Sequence, residues 1–368
     1  MPIEVIDRHV VYANPEPQLR ARQAYFPGAV RLPSGDLLAL FVLGEAMNAT
    51  NANTVVTRSR DGGQTWNLEG PLYKRTTEDA HNLNSFKPTL LNDGTLIATG
   101  YCFYRTDPDQ WLANVETDGL RDGDNLISLS TDEGRNWTTP RVIPRSWPET
   151  IETSGPSIQL QDGSILVSGS LFPLWDGSHP SNNVAVLLRS EDGGMTWDDK
   201  TIFYRDPEGR YTGAEPRLVE MQPGRIVCLF WTLDHAGGTN LPNHVTVSHD
   251  GGHTWGEAID TGILGQASNL IYAGGDTLIT IHCQREGDIG LYVRIVEFAN
   301  DRWKTVEELN IWDNAPTRDV SQYKDMAVNL KFGQASLLPL DDHEYLAVHW
   351  CVEDGLAKIL AHRLQITI

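Results

Sequence analysis

The chain repeats one eight-residue phrase, and that phrase limits what it can fold into. It reads SRDGGQTW at 59–66, STDEGRNW at 130–137, SEDGGMTW at 190–197 and SHDGGHTW at 248–255. Four copies of Ser-x-Asp-x-Gly-x-Thr/Asn-Trp mark a repeat protein, to be taken repeat by repeat. Ser and Asp side chains bond the amides of their own turn, which makes the turn self-sufficient. Gly62, Gly134, Gly193 and Gly251 or Gly252 permit a positive φ, and Trp66, Trp137, Trp197 and Trp255 each bring a large ring to bury beside it. Short apolar, β-branched runs precede the copies, such as TVVTR at 54–58 and VAVLLR at 184–189. The phrase therefore reads as a hairpin turn between strands. A calcium loop is set aside, because each copy has only one or two carboxylates and no EF-hand spacing.

A second pattern, strand, tight turn, strand, comes before each copy. It runs VRLPSGDLLALF at 30–41, TLLNDGTLIATG at 89–100, SIQLQDGSILVSG at 157–169, RLVEMQPGRIVCLF at 217–230, NLIYAGGDTLITIH at 269–282 and SLLPLDDHEYLAVH at 336–349. Its turns fall at Gly35, Gly94, Gly163, Gly224, Gly275 and His343, giving six repeats. The first four repeats add the Ser-x-Asp hairpin. The fifth keeps a worn version, FANDRWKT at 298–305, and the sixth ends in LAKILAHRLQITI at 356–368 without one. Each repeat thus supplies about four strands, the content of one propeller blade. The predicted fold is all-β, a six-bladed β-propeller in one domain over 1–368. The segment EVIDRHVVYA at 4–13 completes or flanks the sixth blade and closes the ring, leaving no open edge. Up-and-down connections put all the Ser-x-Asp turns on one face, the bottom. The longer loops and the starts of the innermost strands lie on top, where function is expected.

Charge narrows the partners. A formal charge of −20 and a pI near 4.8 argue against nucleic acid or an anionic membrane surface. No apolar run reaches membrane-spanning length. The start MPIEVIDRHVVYA has neither a charged n-region nor an apolar h-region, which predicts a cytoplasmic protein unless a leader was trimmed. Cys102, Cys228, Cys283 and Cys351 fall on equivalent apolar strands and read as buried thiols rather than bridges or ligands. There is no metal motif, phosphate loop, nucleophile elbow or nucleotide fingerprint, so no cofactor and no metal are expected. The oligomeric state is left open.

Six blades carrying these turns resemble the sialidase (neuraminidase) superfamily, whose turns are called Asp-boxes or BNR repeats. The resemblance covers essentially the whole chain and implies the fold more than the activity. It implies an arginine triad gripping a carboxylate, an Asp acid/base on the first top loop, and a Tyr nucleophile assisted by a Glu; the Tyr is a known exception among glycosidases. The family's first Arg falls on Tyr25, within Ala24-Tyr25-Phe26-Pro27. The acid/base loop, GEAMNATNANT at 44–54, has Glu45 as its only acid. The assisting Glu is kept as Glu215, nine residues before Gly224. The Tyr position, nine before His343, holds Gln334. The loop TLDHAGGTNLPNH at 232–244 has no Arg, and Arg285 in blade five is outside the expected register. An ordinary sialidase is therefore not expected: the bidentate clamp is missing, and Gln334 cannot act as the nucleophile.

Alternation along the strands then predicts what faces the axis. One ring holds Phe26, Ser85, Ser154, Glu215, Gln266 and Gln334, and a second Gly28, Lys87, Pro156, Arg217, Ser268 and Ser336. This polarity fits a solvated funnel. Glu215 is the candidate acid/base or nucleophile-assisting residue, or else the partner of Arg217 in a structural ion pair. Glu45 or Asp234 is its candidate carboxylate partner. Lys87, Arg217, Gln266, Gln334, Tyr25 and Arg285 are candidate substrate-binding groups. Trp231 and Trp350 are either stacking platforms for a sugar or packing between blades. The leading expectation is a glycoside hydrolase acting on a glycan terminus. A lyase for uronate-containing glycans, using His235 with Lys87 or Arg217, and a non-catalytic glycan-binding propeller are the alternatives.

Overall fold

A computed structural model describes residues 2–76, 83–105, 107–234, 238–314 and 330–368. Its strands form six antiparallel sheets in chain order. Their innermost strands are Gln23–Arg31, Leu83–Leu90, the broken pair Ile151–Glu152 and Ile158–Gln159, Tyr211–Gln222, Ser268–Gly274 and Phe332–Pro339. These open blades 1 to 6. The sixth sheet is completed by the other end of the chain: Ile3–Tyr12 pairs antiparallel with Leu356–Ile366, from Ile3↔Ile366 to Tyr12↔Ile359. The expected ring closure is therefore present, with the N-terminal segment as the outermost strand of blade 6.

The core lies between neighbouring blades. Leu38 and Leu40 of blade 1 cluster with Phe86, Leu96 and Ala98 of blade 2, and Ile97 and Ile127 of blade 2 with Ile165 and Val167 of blade 3. The second strand of a blade is covered on both faces, so it reads as an unbroken apolar run; all of Leu96–Phe103 is buried. The outermost strand of blade 6 lies at the edge of its sheet, with Glu4 to Arg8 exposed.

The Ser-x-Asp turns explain themselves atom by atom. In the first, the Gly63 amide donates to Ser59 Oγ at 2.8 Å and the Thr65 amide to Asp61 Oδ1 at 2.9 Å. Trp66 Nε1 donates to the Gly63 carbonyl at 3.0 Å. The other three turns repeat the same bonds. Hydrogen bonds from the turn hold Asp61, Asp132 and Asp192 down to about 2. Of the two positive-φ positions, the first accepts a side chain, since Glu133 sits there at φ 59°. The second does not: a Cβ on Gly134 would lie 2.4 Å from Leu38 Cδ1 of the preceding blade. The turn is thus also a joint between blades, and arginines of the preceding blade clamp it. Arg58 Nη2 donates to the Glu133 carbonyl at 2.8 Å, Arg189 to that of Gly251, and Arg141 to that of Gly194. The worn turn of blade 5 is clamped likewise: Arg225 reaches the Phe298 carbonyl at 3.0 Å and Asp301 at 2.8 Å.

Replacing Ser190 with Ala leaves the buried Gly194 amide without its acceptor. The expected cost is about 1–3 kcal/mol of unfolding free energy, read as a lower denaturation midpoint. Truncating the neighbouring exposed Met195 serves as the control without effect.

Candidate functional site

The innermost strands of blades 1, 4 and 6 share one irregularity. Their pairing skips between Tyr25 and Gly28, Ala214 and Arg217, and Gly333 and Ser336. At the centre of each skip stands a residue with positive φ: Phe26 at 56°, Glu215 at 45° and Gln334 at 38°. These are members of the first predicted ring. A bulge re-aims a side chain, and positive φ at such residues costs on the order of 1–3 kcal/mol each. In blades 1 and 4 the next residue is Pro27 or Pro216, which has no amide hydrogen to give the ladder.

The bulges bring blades 4 and 6 into contact although blade 5 separates them in the chain. Gln334 Nε2 donates to Glu215 Oε1 at 2.7 Å. The Glu215 amide in turn donates to Glu152 Oε2 of blade 3 at 3.1 Å. Glu152 also accepts from the Ser154 amide at 3.1 Å and from Ser170 Oγ at 3.2 Å. Three buried cations surround this pair. Arg217 Nη1 donates to Ser154 Oγ at 3.1 Å and to the Pro216 carbonyl at 2.9 Å. Arg285 donates to Gln266 Oε1 at 2.8 Å and to the Phe332 carbonyl at 2.9 Å. Lys87 donates to the Phe26 carbonyl. Each passes over a glycine where a Cβ would collide: Gly28 beneath Lys87, Gly155 beneath Arg217 and Gly333 beneath Arg285.

Burial sets the titration of this cluster. It raises Glu152 to about 7, with the Glu215 charge adding to the rise and Arg217 opposing it. It lowers Lys87 to about 7, helped by Arg217 and opposed by Glu215 and Glu152. Four side-chain atoms here are buried without a hydrogen-bond partner: Glu215 Oε2, Gln334 Oε1, Gln266 Nε2 and Trp350 Nε1.

The structure corrects several expectations. The rings are a packed polar floor rather than a solvated funnel: Ser85, Lys87, Ser154, Arg217, Gln266 and Gln334 are all buried, and of the two rings Phe26, Pro156 and Glu215 are partly open. Asp234 is no free carboxylate partner, because Arg210 holds it through Nε at 3.1 Å and Nη2 at 2.7 Å. Glu45 is exposed on its loop, where its amide donates to Asn51 Oδ1 at 3.0 Å. Trp350 is fully buried, edge-on to Tyr25 at 5.1 Å, so it packs and offers no open face. Trp231 is buried too, its Nε1 bound to Asn240 Oδ1 at 2.8 Å. Tyr25 is buried and pushed up to about 12 by burial. His235 lies outside the described residues. Glu152 was missed. It stands two residues before the ring member Ser154, on the same alternation, and that spacing was the available signal.

Comparison with known proteins accounts for the scaffold. The family described as BNR repeat-like domain matches residues 121–310, more than half of the chain. The chain belongs to the BNR repeat-like family. A sialidase of Micromonospora viridifaciens is 28% identical to this BNR-repeat propeller over 255 residues, 62% of this chain and 35% of that protein. The chain therefore spans about a third of the length of that relative. A protein of unknown function from Dyadobacter fermentans superposes with a TM-score of 0.79 at 20% identity, covering 100% of both chains. A Hadza microbial sialidase gives 0.67 at 18% identity, over 94% of this chain and 66% of that one. The alpha-L-arabinanase of Penicillium chrysogenum, complexed with arabinobiose, gives 0.66 at 15% identity over 98% of each. At these identities the structural likeness is one of fold. The sialidase-like propeller of the BNR-repeat chain is thus shared with glycoside hydrolases of more than one kind.

The two shifted groups give the propeller a stability profile with a worked sign. Glu152, raised from 4.5 to about 7, binds its proton more tightly folded than unfolded, so its contribution is lost as pH rises through that window. Lys87, lowered from 10.5 to about 7, does the reverse: the unfolded chain holds more protons, and stability recovers as pH rises above 7. Thermal midpoints should dip near neutrality. Glu152→Gln should remove the fall on the acid side, and Lys87→Met the rise on the alkaline side.

Proposed function

We propose that the axial cluster is the active site of a glycoside hydrolase acting on an uncharged sugar at a glycan terminus. Glu215 is its catalytic carboxylate and Glu152 the partner that holds the proton. The carrying observation is the pair itself: two carboxyl groups from different blades, joined through the Glu215 amide, with one raised to about 7 by burial and by its neighbour's charge. Two carboxyls in unlike environments are what glycosidic cleavage requires, one giving a proton to the departing oxygen and one serving the sugar carbon or the attacking water. Gln334 fixes one Glu215 oxygen and leaves the other, Oε2, without a partner.

Three features support the substrate class. Arg217, Arg285 and Lys87 are all spent on protein acceptors, which leaves none of these three cations as a prepared clamp for a sugar carboxylate among the described residues. This weighs against both a sialic acid and a uronate. Glu215 is the carboxylate of the pair that stays partly open, and uncharged hydroxyl groups are donors it can accept from. The buried floor closes the axis below Glu215, which suits the end of a chain rather than its middle.

The test is release of reducing ends from arabinan, galactan and xylan, with polygalacturonate and sialyllactose as charged comparators. Glu215→Gln should lower kcat by about 10²- to 10⁴-fold. With Glu152 as proton donor, wild-type kcat falls as pH rises through about 7, and Glu152→Gln removes that limb. Unchanged turnover in Glu215→Gln would refute the assignment. Binding of a neutral glycan with no product from the wild type would make the propeller a lectin-like binder instead.

A further inference from the structure

Of the 11 tryptophans, nine are at least half-buried, and most of their indole nitrogens are bonded within the fold. Trp111 and Trp175 are different. They are 63% and 41% exposed, and both stand on top-face loops, between the second and third strands of blades 2 and 3. Two large apolar rings held in water on one ledge call for an occupant.

The ledge is built, not frayed. The blade 2 loop folds back on itself through the bridge Ala113↔Leu120 and the bond from the Asn114 amide to the Gly119 carbonyl at 2.8 Å. The blade 3 loop turns tightly, with the Gly177 amide on the Leu174 carbonyl at 2.7 Å. The two are buttoned together. Thr117 Oγ1 and Asn114 Nδ2 both donate to the Trp175 carbonyl, at 2.8 and 3.1 Å, and the Leu120 amide donates to the Pro173 carbonyl at 3.1 Å. Gly119 lies so close that a Cβ there would be 2.1 Å from the Leu174 carbonyl oxygen. Arg121 links the Trp111 backbone to the Trp175 ring. Its Nε donates to the Trp111 carbonyl at 2.7 Å, and its guanidinium lies 4.5 Å from the centre of the Trp175 ring. Underneath, Phe172 packs on Phe103 and Tyr101, with centroids 5.6 and 6.0 Å apart.

We propose that Trp111 and Trp175 form a second carbohydrate platform, which takes further sugar units of the glycan whose end enters the axial site. The inference rests on the glycan reading of that site and extends it. Indole faces stack on the C–H faces of neutral sugars, and the Arg121 guanidinium stacked against the Trp175 ring helps to fix that ring in place. The ledge is also within reach of the axis. Glu152 pairs with Ser170 across about 5 Å, and Trp175 is five residues farther along the same strand and loop, so Trp175 lies at most about 23 Å from Glu152. That is the span of a short oligosaccharide, so one chain can occupy both places.

The experiment is native affinity electrophoresis in gels containing arabinan, galactan or xylan, run on the full chain with Glu215→Gln to prevent turnover. Retardation by at least one of these polymers is expected. Trp111→Ala and Trp175→Ala should each weaken it about tenfold, and Trp111→Phe with Trp175→Phe should restore most of it. Both rings are exposed, so melting temperatures should not move. A disaccharide of the retarding polymer should bind all variants equally, because it fills the axial site alone. Equal retardation of the alanine variants, or none by any polymer, overturns the platform. So does a change from dimer to monomer in the variants with retardation intact, which would make the ledge a contact between copies. The hydrolase reading is scored separately by reducing-end release from the Glu215 enzyme. Retardation lost in the alanine variants with no release anywhere keeps the platform and rejects the hydrolase.

Discussion

The pairing of Ile3–Tyr12 with Leu356–Ile366 is the contact on which the rest of the ring depends. It joins the two ends of the chain and gives blade 6 its fourth strand. Without it blade 6 would keep only three strands, and the core it shares with blade 1, where Leu346, Val348 and Trp350 cluster with Phe41 and Val42, would lose Val11 and Tyr12. The axial contacts need that closure. Glu215 of blade 4 and Gln334 of blade 6 meet at 2.7 Å only because the ring brings non-consecutive blades to a common axis. The seam carries its own polar lock: Arg8 of the N-terminal strand grips Glu353 at 2.6 and 2.8 Å, and Trp312 of blade 5 donates to the same carboxylate at 2.9 Å.

Rigidity at the bottom face and strain at the axis are two halves of one arrangement. The Ser-x-Asp turns satisfy their own amides, and arginines from neighbouring blades clamp their carbonyls. Above them, three non-glycine residues sit at positive φ, and five ionisable groups lie in or near the packed floor. Such a centre is costly, and it persists where the surroundings over-determine it. The glycines beneath Lys87, Arg217 and Arg285 show how closely it is fitted, since any side chain there would strike the cation above.

Much of the site was legible in the chain. Counting back from the hairpin turns placed Glu215, Gln334, Gln266, Lys87 and Arg217 around one axis, because equivalent offsets in repeated blades fall at equivalent places, although bulges rather than plain alternation aim Glu215 and Gln334. Glu152 escaped because the innermost strand of blade 3 is broken between Glu152 and Ile158, where Gly155 and Pro156 interrupt the ladder. The tryptophans were harder to place. Trp231 and Trp350 follow apolar strands and look like platforms, yet burial closes both, while Trp111 and Trp175 sit in irregular loops that no period describes.

By itself the sequence determined the blade number, the self-bonded turns, the face that bears the long loops and the retention of a Glu at 215. These follow from local rules of turn chemistry and alternation, which need no partner farther than the next strand. Only the tertiary structure decided that Glu152 stands beside Glu215, that Arg210 takes Asp234, and that the three cations are already spent on the protein. Those outcomes depend on which blades face each other across the axis and how far each side chain lies from water. Both are set by the closed ring, not by the spacing of residues along the chain.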